Sequence, residues 1–242
     1  MSGKSSGADL VTRAAFFDVD ETLISAKSMF VFLRHWIERR DGENRAYQQA
    51  VADIRAQVES GAPRTEINRM YYRLFAGVPY VELLAAGRDW YREYRQLPTA
   101  FVGSTLSAIV WHQARGDLIV LLSGSFRACL EPIAAEVLAD RIVCTEPIVD
   151  DEGRLTGEVT RPMIGANKAV AVAETVGALR LLPEDCFCYG DHSSDLHMLL
   201  KVGHPRVVGE DPVLLEHALR NDWPVLSARP SPIRTPVELM AS

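Results

Sequence analysis

Phe16-Phe17-Asp18-Val19-Asp20-Glu21-Thr22 decides how this chain is read, because an apolar stretch opened at Ala14 runs straight into two aspartates one residue apart. Along an extended backbone alternate side chains share a face, so Asp18 and Asp20 point the same way where the strand leaves its sheet. Two adjacent carboxylates repel one another unless something shares their charge. A divalent cation such as Mg²⁺, which prefers hard oxygen ligands, does so, and phosphoryl transfer is the chemistry such a set suits. One carboxylate can attack phosphorus while the other carries protons. An isolated Asp-X-Asp is more often a solvated acidic turn, so the rest of the chain has to arbitrate.

Outward from that strand, Met29, Phe30, Phe32, Leu33, Trp36 and Ile37 fall at helical spacing within residues 27–40. Further helical patterns cover 43–58, 65–75 and 81–94, broken at Gly61-Ala62-Pro63, Gly77-Val78-Pro79 and Leu97-Pro98. After Pro98 helices and strands alternate, with strands expected at 118–122, 141–144, 186–189, 206–208 and 225–226, and a hairpin turning at 150–154. A helix is expected at 195–202, and the Pro-rich stretch after Ser227 is expected to be extended and loosely held. Alternation of this kind requires an α/β fold, a Rossmann-like doubly wound parallel sheet whose ligands collect at the carboxyl ends of its strands. The predicted organisation is a leader at 1–12, an α/β core at 13–25 and 98–228, an inserted helical cap at 26–97 and a tail at 229–242.

Three more features fall at strand or helix ends. The strand at 118–122 empties into Ser123-Gly124-Ser125, a hydroxyl beside a glycine whose backbone N–H can approach an anion. Lys168 opens a helix, where a cation is unfavourable against the helix dipole unless an anion compensates it. The strand at 186–189 empties into Gly190-Asp191-His192-Ser193-Ser194-Asp195, and an acidic helix cap explains one of those carboxylates but not both.

Taken in order, Asp-X-Asp-X-Thr, then Ser, then Lys, then Gly-Asp-X-X-X-Asp, the chain resembles the haloacid dehalogenase-like superfamily from about Arg13 to Ser227. The helical insertion is similar to the cap of its phosphoserine phosphatase-like branch. The resemblance implies an Mg²⁺-dependent phosphatase acting on a small phosphorylated metabolite. Asp18 is then the nucleophile, Asp20 the acid and later the base, and Thr22 a support for the loop. Ser123, Gly124 and Lys168 hold phosphate oxygens, Mg²⁺ takes the Asp18 carboxylate, the Asp20 carbonyl and Asp191, and Asp195 orients Lys168 or a metal-bound water. An acid at Asp20 favours phosphate ester cleavage over dehalogenation, since a halide leaves without a proton. The alternatives are a phosphotransferase that passes the phosphoryl group to an acceptor other than water, and a non-catalytic regulatory module of the same fold.

Two positions depart from the branch. Ser194 stands where an asparagine is common, and Lys27 stands where a glutamate nine residues after the nucleophile binds the substrate ammonium. If Lys27 faces the site it disfavours phosphoserine and favours a second anion or a neutral polyol. Arg69 and Arg73, four apart on one helical face, are the other candidates for such a group.

Composition excludes several classes. The chain has 242 residues, 48% of them hydrophobic, with a formal charge of −6 and no run of basic residues interleaved with aromatics, which argues against nucleic acid. The stretch 1–12 carries no apolar run of signal-peptide or membrane length, so the expected location is cytoplasmic. Cys129, Cys144, Cys186 and Cys188 fit no zinc spacing and are expected as buried free thiols. Trp36, Trp90 and Trp111 are expected in the core.

Overall fold

The computed structural model describes residues 11–41, 44–230, 232 and 235–240. Most of the expected leader, residues 1–10, and residues 231, 233, 234, 241 and 242 of the expected tail lie outside that set. The strands in chain order are β1 (Ala14–Phe17), β2 (Leu118–Ser123), β3 (Arg141–Cys144), β4 (Pro147–Val149), β5 (Leu155–Val159), β6 (Phe187–Gly190), β7 (His204–Val208) and β8 (Val225–Leu226). Six of them form one parallel sheet in the order β3-β2-β1-β6-β7-β8, and β4 and β5 pair separately as the expected antiparallel hairpin. β1 is therefore central, flanked by β2 and β6, and the strand ends carrying Asp18, Ser123 and Asp191 are neighbours.

Alternation along each strand divides the apolar residues between two faces. Ala14, Phe16, Val120, Leu122, Cys186 and Cys188 pack against α7 (Ala166–Leu179), α8 (Leu196–Leu199) and α9 (Pro212–Asn221). Ala15, Phe17, Ile119, Leu121, Phe187 and Tyr189 face α5 (Gly103–Gln113) and α6 (Arg127–Glu136). Both faces are covered, as a parallel sheet needs, and each fully buried Phe contributes roughly 1.5–3 kcal/mol. All four cysteines are free and buried, as expected.

Between β1 and α5 come α1 (Ser28–Asp41), α2 (Asn44–Glu59), α3 (Arg64–Arg73) and α4 (Tyr80–Tyr94). Their apolar faces continue the sheet's own core: Phe32, Leu33, Tyr71, Phe75, Leu83 and Trp90 belong to the same buried cluster as Phe17 and Ile133. At the contact of α4 with α6 a Cβ on Gly87 would lie 1.8 Å from the Ala128 carbonyl oxygen, so only glycine permits this approach.

Three expectations differ from what is found. The helix expected at 195–202 is a 3₁₀ turn at Ser193–Asp195 followed by the single turn of α8, because the chain must bend again at Gly203 to enter β7. Among the described residues after Ser227, Thr235 is held down rather than loose, only 3% exposed with its hydroxyl donating to Glu136 at 2.6 Å, and α10 (Pro236–Met240) follows it. Trp111 is 47% exposed, its ring covered by the Arg115 guanidinium at 4.5 Å. Among the described residues no helix is long and apolar enough to cross a membrane.

Candidate active site

The site is built at the carboxyl edge of β1, β2 and β6. Immediately after β1 the backbone N–H of Asp18 donates to the Tyr189 carbonyl at 3.0 Å, which fixes the first carboxylate against β6. The loop then closes tightly, with Leu23 and Ile24 N–H both donating to the Val19 carbonyl and Glu21 in a left-handed conformation at φ 62°. Such a residue is uncommon outside glycine, and here the turn brings Thr22 back beneath the acids. The buried Thr22 hydroxyl donates to Asp191 at 2.9 Å, and the Thr22 carbonyl accepts from Thr105 Oγ1 at 2.7 Å.

Lys168, on the first turn of α7, is 5% exposed, and its ammonium donates to Asp18 Oδ1 at 2.6 Å and Asp195 Oδ1 at 2.7 Å. Burial works against its charge, but the two carboxylates outweigh that cost and hold the ammonium above its ordinary value. The anion predicted from its position at a helix start is thus present twice. Burial pushes the Asp18 carboxyl up, opposed by Lys168 and reinforced by Asp195 and Asp191. Burial, with Asp195, raises Asp191 to about 6.

Asp20 takes a different environment. Its Oδ1 accepts the N–H of Ser28 at 3.0 Å, at the amino end of α1, and burial together with the Asp18 charge raises its pKa to about 7. An acid poised near neutrality can give a proton and take it back within one cycle. Ser28 is fully buried and its hydroxyl donates to Ser125 Oγ at 2.8 Å, linking the loop of Asp20 to that of Ser123.

After β6, Gly190 admits the chain where a Cβ would sit 2.7 Å from that of Asp195. Asp191, Asp195 and Asp18 bring carboxylate oxygens within 4.8 Å of one another. Asp195 has Oδ1 on Lys168 and Oδ2 on the His192 N–H at 3.4 Å, which leaves Asp18 and Asp191 as the available pair. Three carboxylates around one ammonium leave excess negative charge and hard oxygen donors, the donor set a small dication fits.

The remaining sequence candidates divide. Ser123 is buried and accepts the Ser125 N–H at 3.1 Å, and Gly124 stands beside it. Ser194 does not join the carboxylate cluster: its N–H donates to His192 Nδ1 at 3.0 Å, so it shapes the 3₁₀ turn. Lys27 is 55% exposed and pairs with Glu21 at 3.2 Å. Arg69 and Arg73 face away from the site: Arg69 donates to the Val159 carbonyl at 3.2 Å, and Arg73 bridges Glu66 at 3.0 Å and Glu158 at 3.3 Å, pinning α3 to β5. Helical spacing showed that the two arginines share a face without showing which face.

The inward face of α3 carries Asn68, Tyr71 and Tyr72 instead, all buried. At its start Arg64 Nη1 lies 2.8 Å from the His192 ring, whose pKa is lowered by burial and then by Arg64. Ser28, Arg64, Asn68, Tyr72, Ser125 and His192 were not among the residues expected here. Only Ser125, in Ser-Gly-Ser, carried a local signal.

Comparison with known proteins agrees with this geometry. The model of the haloacid dehalogenase-like hydrolase family matches residues 15–200, and the chain belongs to that family. It is 30% identical over 227 residues to the "Inhibition of morphological differentiation protein" of Streptomyces azureus, covering 88% of this chain and 77% of that one. A "probable phosphatase" of Mycobacterium tuberculosis (strain ATCC 25618 / H37Rv) is 31% identical over 230 residues, covering 91% and 77%. A phosphoserine phosphatase solved as a phospho-aspartyl intermediate analogue superposes with a TM-score of 0.65 at 18% identity, covering 91% of this chain and 95% of that one, which shows a shared fold.

Proposed function

We propose that this enzyme is a phosphatase that hydrolyses a small phosphorylated metabolite, with Mg²⁺ bound, through an aspartyl-phosphate on Asp18. The phosphatase class follows from membership of the family together with its phosphatase-named relatives. The observation that carries the chemistry is the buried Lys168 ammonium held between Asp18 and Asp195 at 2.6 and 2.7 Å.

With Oδ1 of Asp18 occupied by Lys168, Oδ2 is the oxygen that attacks phosphorus. Lys168 offsets the repulsion between that carboxylate and the incoming phosphoryl oxygens, which the Ser123 hydroxyl and the Gly124 N–H also receive. Asp20, protonated below about pH 7, gives its proton to the leaving ester oxygen as the P–O bond breaks. As a carboxylate it then takes a proton from the water that attacks the aspartyl-phosphate, releasing phosphate and restoring both acids. The Asp18 and Asp191 carboxylates and the Asp20 carbonyl would hold Mg²⁺, which supplies further positive charge to the phosphoryl oxygens.

Phosphoserine is not the substrate this site is built to select. The position that would carry an ammonium-binding carboxylate holds Lys27, and Arg64 at the start of α3 lies against His192, the residue next to Asp191. Both charges suit a substrate with a second anionic group, with Arg64 contributing more, because Lys27 is already paired with Glu21 in solvent.

A screen of small phosphomonoesters with Mg²⁺ tests the proposal. Phosphate release that needs Mg²⁺, stops with EDTA and is absent in Asp18→Asn supports it. Release that persists in purified Asp18→Asn refutes the nucleophile.

A further inference from the structure

The Gly124 carbonyl accepts three hydrogen bonds from outside its own loop. Asn68 Nδ2 donates at 2.9 Å and Tyr72 Oη at 3.2 Å, both from α3, while Thr145 Oγ1 donates at 2.9 Å from the segment just after β3. The N–H of that same peptide unit belongs to Ser125 and, the peptide being planar and trans, leaves from the opposite edge. It donates to Ser123 Oγ at 3.1 Å. A hydroxyl that accepts an amide proton keeps its own proton for a different partner.

We infer that Asn68 and Tyr72 are positioning residues that aim the Ser123 hydroxyl at the phosphoryl group by holding the Gly124 carbonyl. The inference rests on the phosphatase reading, in which Ser123 receives a phosphoryl oxygen. A glycine at 124 gives this peptide an unusual freedom to rotate, so its orientation depends on what grips the carbonyl. Thr145 grips it from the core and stays when the helical block moves. Asn68 and Tyr72 grip it only while the block is seated, so the strength of phosphate binding is tied to the seating of the block. Tyr71, their neighbour on α3, has no part in this: its hydroxyl donates to the Met29 carbonyl at 2.7 Å, inside the block.

The test uses the full chain with Mg²⁺, reading inorganic phosphate binding by calorimetry and the KM and kcat for p-nitrophenyl phosphate. Tyr72→Phe and Asn68→Ala should each weaken phosphate binding and raise KM about five- to tenfold, the effect of one lost neutral hydrogen bond, with a smaller change in kcat. Tyr71→Phe should lower Tm and leave phosphate affinity as in the wild type. In a Ser123→Ala background Tyr72→Phe should shift phosphate affinity by less than about twofold, because the group it positions is gone. Wild-type affinity in Tyr72→Phe and Asn68→Ala, or an equal effect with and without the Ser123 hydroxyl, overturns the inference alone. A wild-type protein that binds no phosphate and cleaves no aryl phosphate overturns the phosphatase reading as well.

Discussion

Replacing Asp20 with asparagine keeps the side chain's shape, and an amide oxygen can still accept the Ser28 N–H, but the charge is gone. In the folded chain burial and Asp18 lift this carboxyl from 3.8 to about 7. A raised acid means that the folded state holds the proton more tightly than the unfolded one. The ionised form therefore weakens the fold, by nothing below about pH 4, increasingly between pH 4 and 7, and fully above pH 7. About three pK units at 1.36 kcal/mol each set a ceiling of ~4 kcal/mol. Because Asp20 is only partly buried and solvent screens it, ~1–2 kcal/mol is the expected gain for Asp20→Asn. In a chain of this size that corresponds to a Tm higher by roughly 3–6 °C at pH 8 and unchanged at pH 4, measured in EDTA by thermal denaturation. The same change should slow cleavage of an alkyl phosphate by ~10²–10⁴-fold and cost an aryl phosphate far less, since a phenolate leaves without a proton. A Tm that does not rise at pH 8, or equal losses on the two substrates under single-turnover conditions, refutes the reasoning.

Five further outcomes are expected. Asp18→Asn should reduce turnover by at least ~10³-fold, and EDTA should abolish wild-type activity that added Mg²⁺ restores, both read as phosphate release. In the wild type, kcat/KM for an alkyl phosphate should fall above about pH 7 as Asp20 loses its proton, a limb that a pH–rate profile of Asp20→Asn should lack. Lys27→Ala should change kcat/KM by no more than about fivefold on any substrate, because the exposed Glu21 pair is worth under ~1 kcal/mol. His112→Ala should cost roughly 3 kcal/mol by denaturant titration, since fully buried His112 joins Asp117 Oδ2 at 2.7 Å to the Tyr189 hydroxyl at 2.9 Å, and its removal strands that hydroxyl and leaves Asp117 with only the Arg13 contact at its other oxygen.

The carboxylates, Ser123 and Lys168 were legible in the sequence because each sits at the end of a periodic element, and a parallel sheet gathers such ends along one edge. Residues that act across the gap between the helical block and the sheet were not. Asn68 meets Gly124 across 56 positions of chain, a contact with no local signature. Arg69 and Arg73 misled for a related reason: they lie about 100° around α3 from Asn68 and Tyr72, and only the aromatic neighbours Tyr71 and Tyr72 mark the inner side. The helix at Pro236–Met240 was hidden by the proline-rich stretch before it, since its anchor, the Thr235 hydroxyl on Glu136, is again a distant contact.

Phe126, one residue past the loop that contacts Asp20 through Ser28, sets a limit on how this enzyme exchanges substrate and product. Its ring is fully buried among Phe32 and Tyr72 at 5.5 Å and Tyr71 and Phe75 at 6.0 Å, all four from the helical block. Lifting the block clear would bare an aromatic surface of roughly 200 Å², a cost near 5 kcal/mol for this ring alone. At 1.4 kcal/mol per factor of ten, fewer than about one molecule in a thousand would stand wide open at any moment. An opening that admits substrate is therefore set against the cost of baring this ring, and a small tilt of the helical block, which keeps most of that aromatic contact, costs far less than lifting it clear.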